Sequence, residues 1–332
     1  MLDQLPAILG EDPAFLDAVE RCSRLATINR PCLVVGERGT GKELFAARLH
    51  YLSPRWNGPL IKVNCAALSE TLLESELFGH ELGAFTGAQK KRAGRFELAH
   101  SGTLILDEIA NASPAVQEKV LRVIEYGEFE RVGGSETLSV DVRVVGSTNV
   151  DLPALTETGT FRADLLDRLA FDVITIPPLR SRPGDIVSMA ETFAIDVSRD
   201  LGLDSFPGFT ADAISALNSH SWPGNVRELR NVVERSIFYA ARDNTAINEI
   251  IIDPFESPWR PTQRSTSPEP QRHSERPSPA PPVSFSDAVA KFEVTLLEQA
   301  LTQARHVQKD AAHHLGLGYH QFRRLLHKHN VG

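Results

Sequence analysis

Cysteine is scarce, and what there is cannot organise a fold. The 332 residues contain only Cys22, Cys32 and Cys65, an odd number with no C-x-x-C pair. That excludes a disulfide framework and a cysteine-held metal, and it points to reduced thiols in a cytoplasm. Long apolar runs are also missing. No stretch approaches eighteen uninterrupted apolar residues, and no basic segment followed by an apolar core opens the chain, so neither a membrane helix nor a secretory leader is expected. Only 35 residues precede Gly36, which leaves no room for a sensor domain ahead of it. Positive charge is in deficit overall. A formal net charge of −8 argues against blanket affinity for nucleic acid, but the deficit is uneven. Residues 305 to 332 carry +4 and six of the eleven histidines, leaving −12 on the rest. An acidic body therefore bears a basic tail. Without cysteines, and with a helical pattern in that tail, its histidines do not read as a metal site.

At 42% hydrophobic the chain can bury one large core and one or two small ones. Its strongest local signal is Gly36-Glu37-Arg38-Gly39-Thr40-Gly41-Lys42-Glu43, between the apolar run Cys32 to Val35 and a helical pattern from Leu44 to Leu49. Strand, glycine loop and helix follow one another. Glycines let the backbone aim successive N–H groups inward, and the helix N-terminus adds its positive dipole end, so the loop reads as a phosphate cradle. Lys42 completes G-x-x-x-x-G-K and would meet the β- and γ-phosphates of ATP. Glu43 stands where most such loops place Ser or Thr for Mg²⁺. Either the match is accidental or a G-T-G-K-E variant is in use.

Further along, strands are expected at Leu60 to Asn64, Gly102 to Glu108, Val140 to Val145 (closed by Gly146-Ser147-Thr148-Asn149) and Val173 to Ile176. Helices are expected between them, near Phe15 to Ala26, Glu70 to Phe78, Pro114 to Glu125 and Arg162 to Leu169, with a loop or hairpin at Gly127 to Leu138. Such alternation implies an α/β fold with a parallel sheet, and ligands then sit at the strands' carboxyl ends. The loop from Gly36, the acid pair Asp107-Glu108 and Asn149 all fall there. In a phosphate site the first acid can hold Mg²⁺, directly or through water, and the second can orient or deprotonate the attacking water. The spacing suits an ATPase of the AAA+ class, with Asn149 sensing the γ-phosphate. Residues 183 to 253 carry helical patterns only. Between Pro254 and Pro282 lie nine of the 21 prolines, the composition of a disordered linker. Helices over 286 to 304, 307 to 315 and 319 to 329 then end the chain, the last pair with helix-turn-helix dimensions. The domain limits read as 1–177 for the α/β ATPase body, 178–253 for a helical lid, 254–284 for the linker and 285–332 for an all-α helix-turn-helix domain.

Leu82-Gly83-Ala84-Phe85-Thr86-Gly87-Ala88 contains G-A-F-T-G-A, and here the chain resembles the bacterial enhancer-binding proteins, the AAA+ activators of sigma-54 RNA polymerase. The phosphate loop is similar to that family's G-E-S-G-T-G-K-E, with Arg38 in place of Ser, which makes Glu43 a family trait. The resemblance implies that Gly83 to Ala88 contact sigma-54. It implies that Arg162 and Arg168, in Phe161 to Leu169, act on a neighbouring subunit's nucleotide in a homo-oligomeric, hexameric ring. Arg227, in Trp222 to Leu229, becomes the lid's nucleotide sensor, and Asn64 the residue that restrains the catalytic glutamate. The tail resembles the family's factor-for-inversion-stimulation type of domain, with Tyr319, His320, Gln321, Arg323 and Arg324 set to bind enhancer double-stranded DNA and Gly318 at the helix cap. The expected function is ATP-driven, Mg²⁺-dependent remodelling of the sigma-54 closed promoter complex. A nucleotide-gated DNA-binding regulator without remodelling is the alternative. Absence of a sensor domain calls for a trans-acting inhibitor, and Trp56, in a polar loop between Arg55 and Asn57, reads either as a cap on the domain edge or as an exposed anchor for that inhibitor.

Overall fold

The computed structural model describes residues 8–85, 87–203, 205–240, 245–257, 259–260, 284–329 and 331. Thr86 and most of the expected linker lie outside them. The chain divides into two compact units, 1–255 and 256–332.

In the first unit, α1 (Pro13–Ala26) starts at Asp12, whose carboxylate accepts the Ala14 N–H, with proline at the first helical position. β1 (Cys32–Val35), the phosphate loop and α2 (Lys42–Tyr51) follow, then β2 (Leu60–Asn64), α3 (Glu70–Phe78), and the short strands β3 (Gly79–His80) and β4 (Arg92–Ala93). α4 (Arg95–Leu98) leads to β5 (Thr103–Asp107) and α5 (Pro114–Tyr126). A hairpin of β6 (Glu128–Glu130) and β7 (Thr137–Ser139) precedes β8 (Arg143–Thr148), α6 (Leu152–Glu157), α7 (Ala163–Leu169) and β9 (Val173–Thr175).

Five strands form one parallel sheet in the order β2-β5-β8-β1-β9. Alternation along each strand feeds two cores, one per face. Leu33, Leu104, Leu106 and Val144 pack with α3, α5 and α7, whereas Cys32, Val34, Ile105, Val145 and Ile174 pack with α1 and α2. Both faces are covered, as a parallel sheet requires.

One strand differs from its expected limits. β8 begins at Arg143 and continues through Gly146, Ser147 and Thr148, which the sequence reading placed in a closing turn. These small residues are in register with Leu33, Val34 and Val35 of the neighbouring strand β1. A side chain at Gly146 would come within 2.7 Å of Leu33 Cδ2, so glycine there serves packing and not turning. Val140 instead bonds back to the Gly127 carbonyl at 2.7 Å.

The lid consists of α8 (Pro183–Asp200), α9 (Ala211–Ser219) and α10 (Asn225–Ala240) around a core holding Ile186, Leu217, Trp222, Leu229 and Val233. A bridge between Phe209 and Ile247 adds extended backbone to a segment expected to be helical only. In the second unit, α11 (Phe285–Gln303), α12 (Gln308–His314) and α13 (Tyr319–His329) close on Leu297, Ala300, Leu301, Ala311, Phe322 and Leu326. Among the described residues no helix is long and apolar enough to cross a membrane.

Candidate functional site

The glycine loop leaves β1 at Gly36 and enters α2 at Lys42. Gly39 (φ +77°) and Gly41 (φ +99°) take left-handed backbone that a side chain would oppose. Lys42 is buried, and its ammonium donates to the carbonyls of Gly36 at 3.0 Å and Glu37 at 3.3 Å. Burial pulls its pKa below the usual lysine value, while Glu108 and Asp107 oppose that pull. The loop opens into a cavity of about 730 Å³. Arg38, Gly39, Thr40, Gly41, Lys42 and Glu43 line one wall, Asn64, Asp107 and Glu108 a second, and Arg227 and Arg230 of the lid a third. Its other end is apolar, lined by Ile8, Phe15, Met189 and Phe193 among others. A polar, cationic half beside an apolar half suits a nucleotide's phosphates and base.

The acids sit where the β5 strand ends. Asp107 Oδ1 accepts a hydrogen bond from Ser147 Oγ at 2.6 Å, and Oδ2 accepts one from Asn64 Nδ2 at 3.4 Å. Asn64 therefore reaches Asp107, not the glutamate it was expected to restrain. Register explains this: Asn64 and Asp107 are direct partners across the β2 and β5 pair. Glu108 has left the strand for left-handed backbone (φ +51°), and its carboxylate has no hydrogen-bond partner among the described residues. A non-glycine residue in that conformation is uncommon. Asn149 stands one residue beyond β8 and does not line the cavity.

Neither do Arg162 and Arg168. Arg162 caps α7, where its backbone N–H donates to Gln117 Oε1 at 2.8 Å and its guanidinium grips Asp164 at 3.0 and 2.8 Å. Arg168 donates to Glu125 at 2.7 Å. Both cations are held within their own chain, away from the cavity.

The glycine-rich segment is rooted on the β3 and β4 pair. Glu81 N–H bonds the Val132 carbonyl at 3.1 Å, so the hairpin supports its base. Gly83 and Ala88 close the loop by a 2.9 Å backbone bond. Phe85 is half-buried, its ring edge-on to His80 at 5.0 Å, because the closed loop folds the side chain back on its own root. Gly87 is exposed, Ala84 half-buried and Ala88 buried.

Trp56 lies in the turn after α2 and is 40% exposed, partly cap and partly surface. In the second unit, Tyr319, His320, Gln321, Arg323 and Arg324 of α13 are all exposed, whereas Phe322 and Leu326 are buried. Gln321 also accepts the Gly318 N–H at 3.2 Å, closing the helix start that glycine leaves without a side-chain cap.

Sequence reasoning missed Ser147, and it missed Arg180 and Asn225, which bind the phosphate loop from the lid side. Asn225 lay inside the Trp222 to Leu229 motif, so a signal for it existed. Nothing local marks Ser147 or Arg180.

Comparison with known proteins covers the whole arrangement. Residues 8–176 match the model of the sigma-54 interaction domain, 180–266 the AAA+ ATPase lid domain, and 288–329 the Fis family of bacterial regulatory proteins. The Psp operon transcriptional activator of Escherichia coli (strain K12) is 56% identical over 325 residues, covering 98% of each chain. A Nif-specific regulatory protein of Azotobacter vinelandii is 45% identical over 93% of this chain, which spans 56% of that protein. Among solved structures, NtrX from Brucella abortus in complex with ATP is similar with a TM-score of 0.68 and 30% identity, covering 98% of this chain and 69% of that one.

Proposed function

This chain belongs to the AAA+ sigma-54-dependent transcriptional activators, and from that membership we propose that a ring of its copies couples ATP hydrolysis to remodelling of the sigma-54 RNA polymerase closed complex. A sigma-54 interaction domain and a Fis-type DNA-binding domain lie in one chain, and the family implies ATPase activity. The observation that carries the coupled reading is the split of the cationic groups. Lys42 and Arg227 meet the acid pair in one cavity, while Arg162 and Arg168 stand off it. A second copy would bring them to a neighbour's nucleotide.

The roles follow the geometry. Loop N–H groups and Lys42 hold the β- and γ-phosphates, Arg227 closes from the lid, and Glu108 activates water. Among the described residues no group of three or more His, Cys, Asp or Glu could hold a metal alone. The hard carboxylate of Asp107 fits a Mg²⁺ that keeps water and nucleotide phosphates as its other ligands, and such an ion neutralises charge developing on the phosphoryl oxygens. Gly83 to Ala88, with Thr86 among them, engage sigma-54, and the exposed side of α13 engages enhancer DNA. Extensive similarity to the Psp operon activator supports promoters of that kind as the target. A cytoplasmic location, a hexameric ring and a trans-acting inhibitor complete the proposal, with Trp56 either that inhibitor's anchor or a cap on the domain edge. A promoter-opening assay with purified sigma-54 polymerase, enhancer DNA and ATP tests the proposal. Open complexes that depend on hydrolysable ATP are expected. Specific DNA binding and ATP turnover without open complexes would favour the regulator that does not remodel.

A further inference from the structure

We propose that Glu37, Arg180 and Asn225 form a latch that positions the phosphate loop, gripping Glu37 to Gly39 from the lid so that nucleotide affinity depends on it more than the chemical step does. None of the three lines the cavity, so they are positioning residues. The proposal rests on the nucleotide-binding reading above.

Asn225 is the centre. It is fully buried and sits in left-handed backbone (φ +52°), a conformation asparagine adopts more readily than most residues. Its Oδ1 accepts the Leu179 N–H at 2.8 Å. Its Nδ2 donates to Glu37 Oε2 at 3.1 Å and to the Arg38 carbonyl at 3.0 Å. One side chain thus binds the loop and the segment that joins β9 to the lid. Arg180, next to Leu179, presents both terminal nitrogens to the Glu37 carboxylate at 2.7 and 2.5 Å, a fork that matches the carboxylate. Arg180 first, and Asn225 after it, hold the Glu37 pKa down to about 2. The grip extends to the next residue. The Arg227 N–H donates to the Gly39 carbonyl at 3.3 Å, and a side chain at Gly39 would meet the Gly224 carbonyl at 2.2 Å, so loop and lid backbones touch.

A cradle built on three glycines has many shapes, few of which aim their N–H groups at one phosphate. Fixing the shape beforehand removes an ordering cost that binding would otherwise bear. Because the fixing groups come from the lid side, displacing the lid would loosen the loop and release product.

The test uses the full chain, titrated with fluorescent ADP and assayed for steady-state hydrolysis. Arg180→Ala and Glu37→Ala are each expected to raise the ADP Kd and the KM for ATP about fourfold, the scale of a half-exposed ion pair, with kcat within about twofold. Arg180→Lys should recover part of the affinity. The double variant should be no weaker than the worse single one, because each removes the same contact. If Glu37→Ala does not fold, Glu37→Gln keeps the shape and loses the charge, and Arg180 is a surface residue whose removal leaves the core alone. Unchanged Kd and KM in these variants, or a fall in kcat alone, would overturn the latch. Failure of the unaltered chain to bind ADP would instead overturn the nucleotide reading itself.

Discussion

Arg143 carries its charge into the interior with no carboxylate to meet it. It is 3% exposed, and its guanidinium donates to the carbonyls of Leu25 (2.9 Å), Ala26 (3.0 Å), Arg30 (3.1 Å) and Leu49 (3.2 Å). Leu25, Ala26 and Leu49 lie in the last turns of α1 and α2, where carbonyls lack helical partners and the dipole is negative. Burial pulls its pKa below the ordinary arginine value, yet four acceptors keep the cation in place. Arg143→Met should therefore lower stability by roughly 3 kcal/mol or more, by orphaning buried carbonyls, and thermal unfolding would show it. No loss of melting temperature would mean that water takes over the carbonyls. Glu108 poses the opposite case, a carboxylate without a partner beside the phosphate loop. Glu108→Gln should bind nucleotide normally and lose turnover by a factor of ~10² or more, as removal of a general base does, and single-turnover hydrolysis checks it. Asp107 and Glu108 were legible because a strand ending in two acids is a local pattern. The bonds from Ser147 and Asn64 were not, because they depend on which strands become neighbours and in what register.

Elements show the same division between what is local and what is not. The helices from Phe15, Glu70 and Pro114 and four of the five core strands were readable from apolar period and turn residues, whereas β8 was shifted because Gly146-Ser147-Thr148 has turn composition in a strand position. For the glycine-rich loop, existence and place were legible. Its resting state was not, since the contact of Phe85 with His80 and the approach of Gly133 to Ala84 rest on pairing with a hairpin some fifty residues later. If the loop engages sigma-54 as proposed, Phe85→Ala should keep hydrolysis within about twofold while abolishing analogue-dependent binding of sigma-54, whose anchor would be this aromatic. Normal open-complex formation by that variant would refute the loop's role. On α13, the 3.6-residue period alone separates Phe322 and Leu326 from Arg323 and Arg324. Replacing both arginines with Ala, one set to reach base edges and the other a phosphate, should remove sequence-specific footprints and lower the salt slope of binding by about one, with ATPase activity intact. Surviving footprints would move DNA recognition elsewhere.

At the scale of the molecule, the proposed function makes a single copy an incomplete machine. Arg162 is engaged with Asp164, and Arg168 with Glu125, both on exposed surface. Exposed pairs of this kind are typically worth under about 1 kcal/mol, so a neighbour's triphosphate can draw the arginines away at small cost. A ring interface is heterologous, and each site then combines the loop of one copy with the arginines of the next. Two variants separate this arrangement from one in which a chain serves its own nucleotide. Arg168→Ala keeps a sound loop and offers no finger, and should lose a factor of roughly 10³ in turnover. Lys42→Ala keeps the finger and has no working cradle. Mixed in equal amounts at ring-forming concentration, half the copies carry a sound loop and half of their neighbours a sound arginine. About a quarter of the sites should then be complete if assembly is random around a closed ring. ATP turnover of the mixture should rise toward that fraction of the unaltered protein's rate, and it should vanish on dilution below the assembly concentration. A mixture no more active than its two components would show that arginine and loop belong to the same chain's site.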